Sequence, residues 1–161
     1  MPNEPQWLYW DSCVFLAVLN EEQERLPTLR AILEEVGQSS GSLKLSTSIL
    51  TLTEVAYVAA ERDARQLDPE RLEDVDALLR NDALVDLIEF NETIALRARE
   101  FIREAMSQQN RFRPADAIHL ASAVYLGVTE FQTYNTADYL PLSEHITFPI
   151  KQPAPIQPRL L

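Results

Sequence analysis

Apolar residues recur along this chain in two rhythms that take turns. Trp7-Leu8-Tyr9-Trp10 is a short aromatic and aliphatic run, followed by an apolar helical stretch that begins near Ser12. Leu29, Ile32, Leu33 and Val36 then fall at helical spacing, and Gly37-Gln38-Ser39-Ser40-Gly41-Ser42 closes that helix as a loop. Leu43-Lys44-Leu45-Ser46-Thr47 alternates as a half-buried strand does. A helix is predicted over 49–65, with Leu52, Val55, Ala56 and Ala59 as its core-facing stripe. Asp68-Pro69 opens a further helix to about residue 80, the Asp as cap and the Pro at the first helical position. Residues 83–90 read as a strand and 92–109 as a long amphipathic helix. Residues 115–126 read as an Ala-rich buried helix closed by Gly127. Strands follow at 130–134 and 145–150. Alternating short strands and helices predict an α/β fold, with a mainly parallel sheet of about four to five strands covered on both faces. The order of the strands is not legible at this level.

At 161 residues the chain fits one domain over 1–150 with a Pro-rich extended tail over 151–161. It has no run long enough for a membrane span, and Met1-Pro2-Asn3-Glu4-Pro5 lacks the basic and apolar regions of a signal peptide. A cytoplasmic location follows by default. The single cysteine, Cys13, excludes an internal disulfide framework and a cysteine-based zinc site. The formal net charge of -11 argues against broad adhesion to nucleic acid, which needs a positive surface field. It leaves room for a nucleic-acid enzyme whose bound cation offsets the local charge, and for a basic protein partner.

The chemistry must come from acids at element boundaries, because three glycines cannot build a phosphate loop. Gly37-Gln38-Ser39-Ser40-Gly41 spells G-x-S-x-G, but as a loop from a helix into a strand it is not the strand-to-helix nucleophile elbow, and there is no H-E-x-x-H pair. Asp11 follows the first strand, Glu54 lies early in the helix after the second, and Asp116 is in the first turn of the helix opened by Pro114. Asn135 and Asp138 follow the strand ending at Tyr134. Each has a plain alternative. Asp11 can cap the next helix, and Thr51-Leu52-Thr53-Glu54 matches a capping box. Asp116 suits the helix dipole, and Asp138 can cap a turn. Jointly, they share the edge where strands end and helices begin, where open α/β folds place their sites. An all-oxygen cluster suits Mg²⁺ or Mn²⁺, and the matching reaction is phosphodiester hydrolysis. His119, one helical turn after Asp116, offers a thinner transition-metal reading beside its role as a packing residue.

Four blocks carry a family resemblance: Asp11-Ser12 after the first strand; Leu52-Thr53-Glu54-Val55; Arg113-Pro114-Ala115-Asp116-Ala117-Ile118-His119-Leu120-Ala121-Ser122-Ala123; and Thr133-Tyr134-Asn135-Thr136-Ala137-Asp138-Tyr139. In this order the chain resembles a PIN domain, and among PIN domains the VapC-type toxins of bacterial toxin–antitoxin pairs, over about residues 7–150. The resemblance implies a Mg²⁺- or Mn²⁺-dependent endoribonuclease with Asp11, Glu54 and Asp116 as metal ligands. Asn135 stands where many members have a fourth acid, with Asp138 three residues on. Asn135 keeps an oxygen donor and loses the charge, which weakens the case for a second bound metal. The resemblance further implies that Ser12 and Thr133 orient the carboxylates or a bound water; Arg111 and Arg113 are the nearest candidates for phosphate contacts, beside their plain reading as solvated residues at a helix entry. The resemblance also implies a homodimer and a small basic antitoxin that lays a helix or extended segment into a groove. The acidity and the length depart from the usual toxin pattern. A PIN protein outside a toxin pair, in RNA processing or as a catalytically weak scaffold, is therefore the second reading.

Overall fold

A computed structural model describes residues 4–156 of the chain. Its five strands are β1 (Gln6–Trp10), β2 (Leu43–Ser48), β3 (Asp86–Ile88), β4 (Glu130–Gln132) and β5 (Ile150–Lys151). They form one sheet in the order β3-β2-β1-β4-β5, and every pairing is parallel. The most aromatic run in the chain thus becomes the central strand, where both edges are paired and both faces are buried.

Alternation along β1 divides the core. Leu8 and Trp10 point to the side covered by α1 (Ser12–Leu19) and α2 (Leu26–Gln38), packing with Val14, Phe15, Leu29 and Ile32. Tyr9 points to the other side, with Phe131 and residues of α6 (Glu92–Ser107) and α7 (Pro114–Leu126). From β1 the chain builds outward through β2 to β3, then crosses back over the sheet by α6 and α7 to place β4 on the opposite side of β1. The strand order reverses between β1 and β4. In an open α/β sheet the crevice beyond the strand ends at such a reversal is the place for a ligand.

The remaining helices are α3 (Thr51–Glu54), α4 (Ala59–Ala64), α5 (Pro69–Leu79) and α8 (Thr136–Tyr139), with a 3-10 turn over Leu140–His145. α5 starts as expected, the Asp68 side chain accepting the Glu70 N–H at 3.0 Å. α7 ends at Gly127, whose φ of 69° is the left-handed conformation that glycine takes without a Cβ penalty.

Other segments differ from their sequence pattern. The continuous helix expected over 49–65 is broken after Glu54, and the backbone leaves helical geometry at Val55 (φ -99°, ψ 51°). The break lets Val55 and Val58 both reach the core under α1 and α2, while Ala56, on the expected stripe, is exposed. Glu61 makes it affordable by accepting the Val58 N–H at 3.2 Å and the Asp68 N–H at 2.9 Å, and Asn20 Oδ1 accepts the Ala59 N–H at 2.9 Å. The capping box expected at Thr51–Glu54 does not form, because the Thr51 hydroxyl is hydrogen-bonded to that of Thr47 at 2.8 Å. The strand expected over 83–90 shrinks to β3, since the Leu84 and Val85 N–H groups turn back to Asn81 O. Most of the strand expected over 145–150 is irregular, and β5 runs across the domain boundary expected at 150. In the 151–161 tail, Ile156 packs on the core under α1 and α2, and residues 157–161 lie outside the described residues.

Glu61 is 7% exposed, and its bond to the Val58 N–H is buried. Glu61→Ala should cost about 1–3 kcal/mol in urea unfolding, the price of buried N–H groups left unpaired. Glu61→Gln, which keeps one acceptor oxygen, should lose less. Equal midpoints for Glu61→Ala and the parent would show that these bonds do not hold the break.

Candidate active site

Asp11 is the first residue beyond β1 and is only 4% exposed. It occupies the N-cap position of α1, yet its side chain makes no capping hydrogen bond. The capping role expected from the sequence is therefore not the one its carboxylate plays. Its oxygens instead collect three donors. Thr133 Oγ1 donates to Oδ2 at 2.7 Å, Tyr139 Oη donates to Oδ2 at 3.2 Å, and Cys13 Sγ donates to Oδ1 at 2.8 Å. All three donors stay protonated. Burial, with the Asp11 charge adding to it, pushes the Cys13 thiol up to about 12. The same two causes hold the Tyr139 hydroxyl well above its usual range. No Lys, Arg or His forms an ion pair with Asp11 among the described residues.

These donors tie the segment after β4 to the end of β1, across the point where the strand order reverses. Thr133 Oγ1 also accepts the Asn135 N–H at 3.0 Å, which bends the chain into α8. Asn135 and Asp138 are both exposed on that turn. Asn135 takes the N-cap position of α8 without a side-chain capping bond, and Asp138 lies inside α8 rather than capping it. Tyr139, packed edge-on to Phe112 and tilted against Phe131, anchors the turn in the second core.

Asp116 is delivered by the first turn of α7 and is half-buried. Its carboxyl group is pushed up, first by burial and then by the charges of Asp11 and Asp138; His119 and Arg113 pull the other way. Asp116 thus feels the charges of both Asp11 and Asp138, beside the point where the strand order reverses. Glu54 ends α3 on the β2 side, and its Oε1 is hydrogen-bonded to His119 Nε2. Among the described residues no three His, Cys, Asp or Glu side chains close on one point as a finished metal cage.

Around these acids, Ser12 lies partly buried at the start of α1 and its hydroxyl has no hydrogen bond among the described residues. Arg113 is exposed at the N-cap of α7, close enough for its charge to act on Asp116, and Arg111 is exposed two residues earlier. Four contributors were not legible as site residues: Cys13, Tyr139, Tyr9 and His119 as a partner of Glu54. Cys13 and Tyr9 read as apolar core and Tyr139 as the end of a loop, and only a pairing of β1 with β4 could have brought Tyr139 to Asp11. Arg25 adds an exposed cation, its guanidinium 3.8 Å above the ring of Tyr134, next to Thr133 in sequence.

The donor set fits a hard divalent cation. The acids offer only oxygen, and their charges oppose one another where a cation would relieve them. Asp11 uses three of a carboxylate's roughly four acceptor sites on the protein, which leaves one over.

The profile of the PIN domain family matches residues 8–138. Among curated proteins none matches the sequence significantly. Among solved structures, the chain is similar to VapBC-1 from nontypeable Haemophilus influenzae, at 15% identity and a TM-score of 0.66, covering 91% of this chain and 98% of that one. It is similar to FitAcB from Neisseria gonorrhoeae at 15% identity and a TM-score of 0.62, with 91% and 97% covered. It is also similar to Mycobacterium tuberculosis VapC20, a sarcin-ricin-loop-cleaving toxin, at 14% identity and a TM-score of 0.59, with 83% and 93% covered. At these identities the likeness is one of fold.

The upward push on Asp116 means that folding disfavours its ionised form. That cost is present above the folded-state pKa and disappears as pH falls through it. Asp116→Asn should therefore raise the Tm of the metal-free protein at neutral pH, with the gain fading toward acid. A Tm that is lower than the parent's at every pH would mean that Asp116 serves as a helix-start acid rather than as a member of a repelling cluster.

Proposed function

The chain belongs to the PIN domain family, and from that premise we propose that it is a Mg²⁺- or Mn²⁺-dependent endoribonuclease, the toxin of a toxin–antitoxin pair. The observation that carries this reading is the placing of Asp11 at the end of β1, Asp116 in the first turn of α7 and Asp138 in α8 beside the point where the strand order reverses, close enough for the charges of Asp11 and Asp138 to act on Asp116. Asp11, Glu54 and Asp116 would hold the cation, with Asp138 adding charge and Asn135 a neutral oxygen nearby. When bound, the cation supplies an activated water and stabilises charge on the phosphoryl oxygens and leaving group.

The chain's own residues do the rest. Thr133, Tyr139 and Cys13 fix the Asp11 carboxylate before any cation arrives, so its orientation is not lost to solvent. Ser12, whose hydroxyl has no hydrogen bond among the described residues, can hydrogen-bond a bound water. Arg113 and Arg111, exposed beside Asp116, hold the flanking phosphates of an RNA strand. Such local cations suit a chain of net charge -11, which gains little from the rest of its surface when it meets RNA.

The VapBC-1 and FitAcB structures support a partner protein for this chain too. We assign it a small basic antitoxin, complementary to the acidic chain, and a homodimeric assembly as the resemblance implies. The acidity also favours the second reading, a PIN protein outside a toxin pair, and growth assays separate the two. Induced expression should arrest bacterial growth, and co-expression of the adjacent reading frame should relieve it. Harmless expression of an active nuclease would move the protein to RNA processing.

On mixed cellular RNA with Mn²⁺ or Mg²⁺, Asp11→Asn should lower cleavage by about 10²–10³-fold, the usual cost of removing one stabiliser of transition-state charge. Equal cleavage by parent and variant would assign the activity to a contaminant and overturn the reading.

A further inference from the structure

Glu54 differs from the two Asp ligands in needing more help. Its carboxylate sits on a longer side chain, at the last position of a four-residue helix, just where the backbone turns away. The structure answers this with a buried relay. His119, 1% exposed on α7, is hydrogen-bonded through Nε2 to Glu54 Oε1. Its other ring nitrogen, Nδ1, lies 2.7 Å from Tyr9 Oη, which is fully buried on β1. Tyr9 Oη in turn accepts the N–H of Ser48, the last residue of β2, at 3.0 Å.

Proton counting assigns the tautomer. The phenol stays protonated, because burial pushes Tyr9 far above its usual range. With its oxygen already receiving the Ser48 N–H, the phenol has one proton to give, and Nδ1 is placed to accept it. The imidazole then carries its proton on Nε2, aimed at Glu54. The opposite tautomer would set a nitrogen lone pair against a carboxylate oxygen. In the assigned arrangement every donor is used once, and the backbone of β2 ultimately fixes the ring.

We propose that Tyr9 and His119 are a positioning pair for Glu54: the phenol fixes the Nε2–H tautomer, His119 holds Glu54 Oε1, and Oε2 is left to face a divalent cation. This rests on the metal-dependent reading above. His119 is also one turn beyond Asp116, so a single helix supplies one ligand and orients another. Neither Tyr9 nor His119 touches substrate in this scheme, and both act through Glu54.

The test is Mn²⁺ binding, followed by electron paramagnetic resonance, on the parent, Asp11→Asn, Tyr9→Phe, His119→Ala and His119→Gln. Nitrogen-15 NMR of the histidine ring is run on the same proteins. The parent should show His119 protonated at Nε2 and bare at Nδ1, and Tyr9→Phe should lose that pattern. Tyr9→Phe and His119→Ala should bind Mn²⁺ about 10–100-fold more weakly, as loss of an orienting partner does. His119→Gln, whose amide N–H can reach Glu54, should recover most of the affinity. Parent-like Mn²⁺ affinity in folded Tyr9→Phe and His119→Ala, with Asp11→Asn defective, would overturn the positioning pair alone. Absence of Mn²⁺ binding in the parent would overturn the metal reading and the pair with it. If the variants fail to fold, the ring NMR of the parent decides: a proton on Nδ1 in place of Nε2 refutes the assignment.

Discussion

The Asp11 carboxylate, buried at the end of the central strand without a counter-cation, is the constraint on which the rest of the structure turns. Taking a carboxylate out of water costs several kcal/mol even after relaxation. Hydrogen bonds to a charged group return about 1.5–3 kcal/mol each, and Asp11 has three. Those donors dictate architecture. Cys13 requires α1 to begin at once after β1, and Thr133 requires β4 to lie beside β1 rather than at the sheet edge. Tyr139 requires the following turn to fold back into the second core, where Phe112 and Phe131 hold its ring. The crevice is therefore shaped by the needs of one charge before any ligand is considered.

The chain's acidity acts on two scales. Part of it sits on α5, where it makes exposed i, i+3 and i, i+4 pairs such as Arg71 with Asp74 and Arg80 with Asp76. Such pairs contribute little to stability and serve mainly to keep the surface polar. At the site the same kind of charge is partly desolvated, and Asp11 and Asp138 add to the cost of ionising Asp116. Arg113 and Arg25 stand at that rim as the local exceptions. A surface of this kind repels nucleic acid broadly.

What was legible in the sequence follows from how local the cause is. The central strand, the long amphipathic helices, the Asp68 cap and the Gly127 terminus depend on residues within a turn or two, and they stand where the pattern put them. The break after Glu54 was not legible because Glu61 and Asn20 satisfy the freed N–H groups, and Asn20 is remote in sequence. β3 is shorter than its apolar run because Asn81 consumes the preceding N–H groups in a turn. At the crevice, the boundary acids could be named from spacing alone. Their neutral partners could not, since Tyr9 and Cys13 look like any other core residue, and Tyr139 like the end of a loop, until strand order places a polar atom beside each.

That difference explains how the three proposed ligands are held. Asp11 has a short side chain on a rigid strand end, and small neutral donors suffice to orient it. Asp116 lies in the first turn of a long helix, which sets its direction with little further support. Glu54 has an extra rotatable bond and a short helix behind it, and freezing such a side chain on demand would cost binding free energy each time a cation arrived. The buried Tyr9–His119 relay meets that cost during folding instead. Its anchor is the Ser48 N–H on β2, so the same parallel pairing that puts β1 at the centre of the sheet also fixes the far wall of the site.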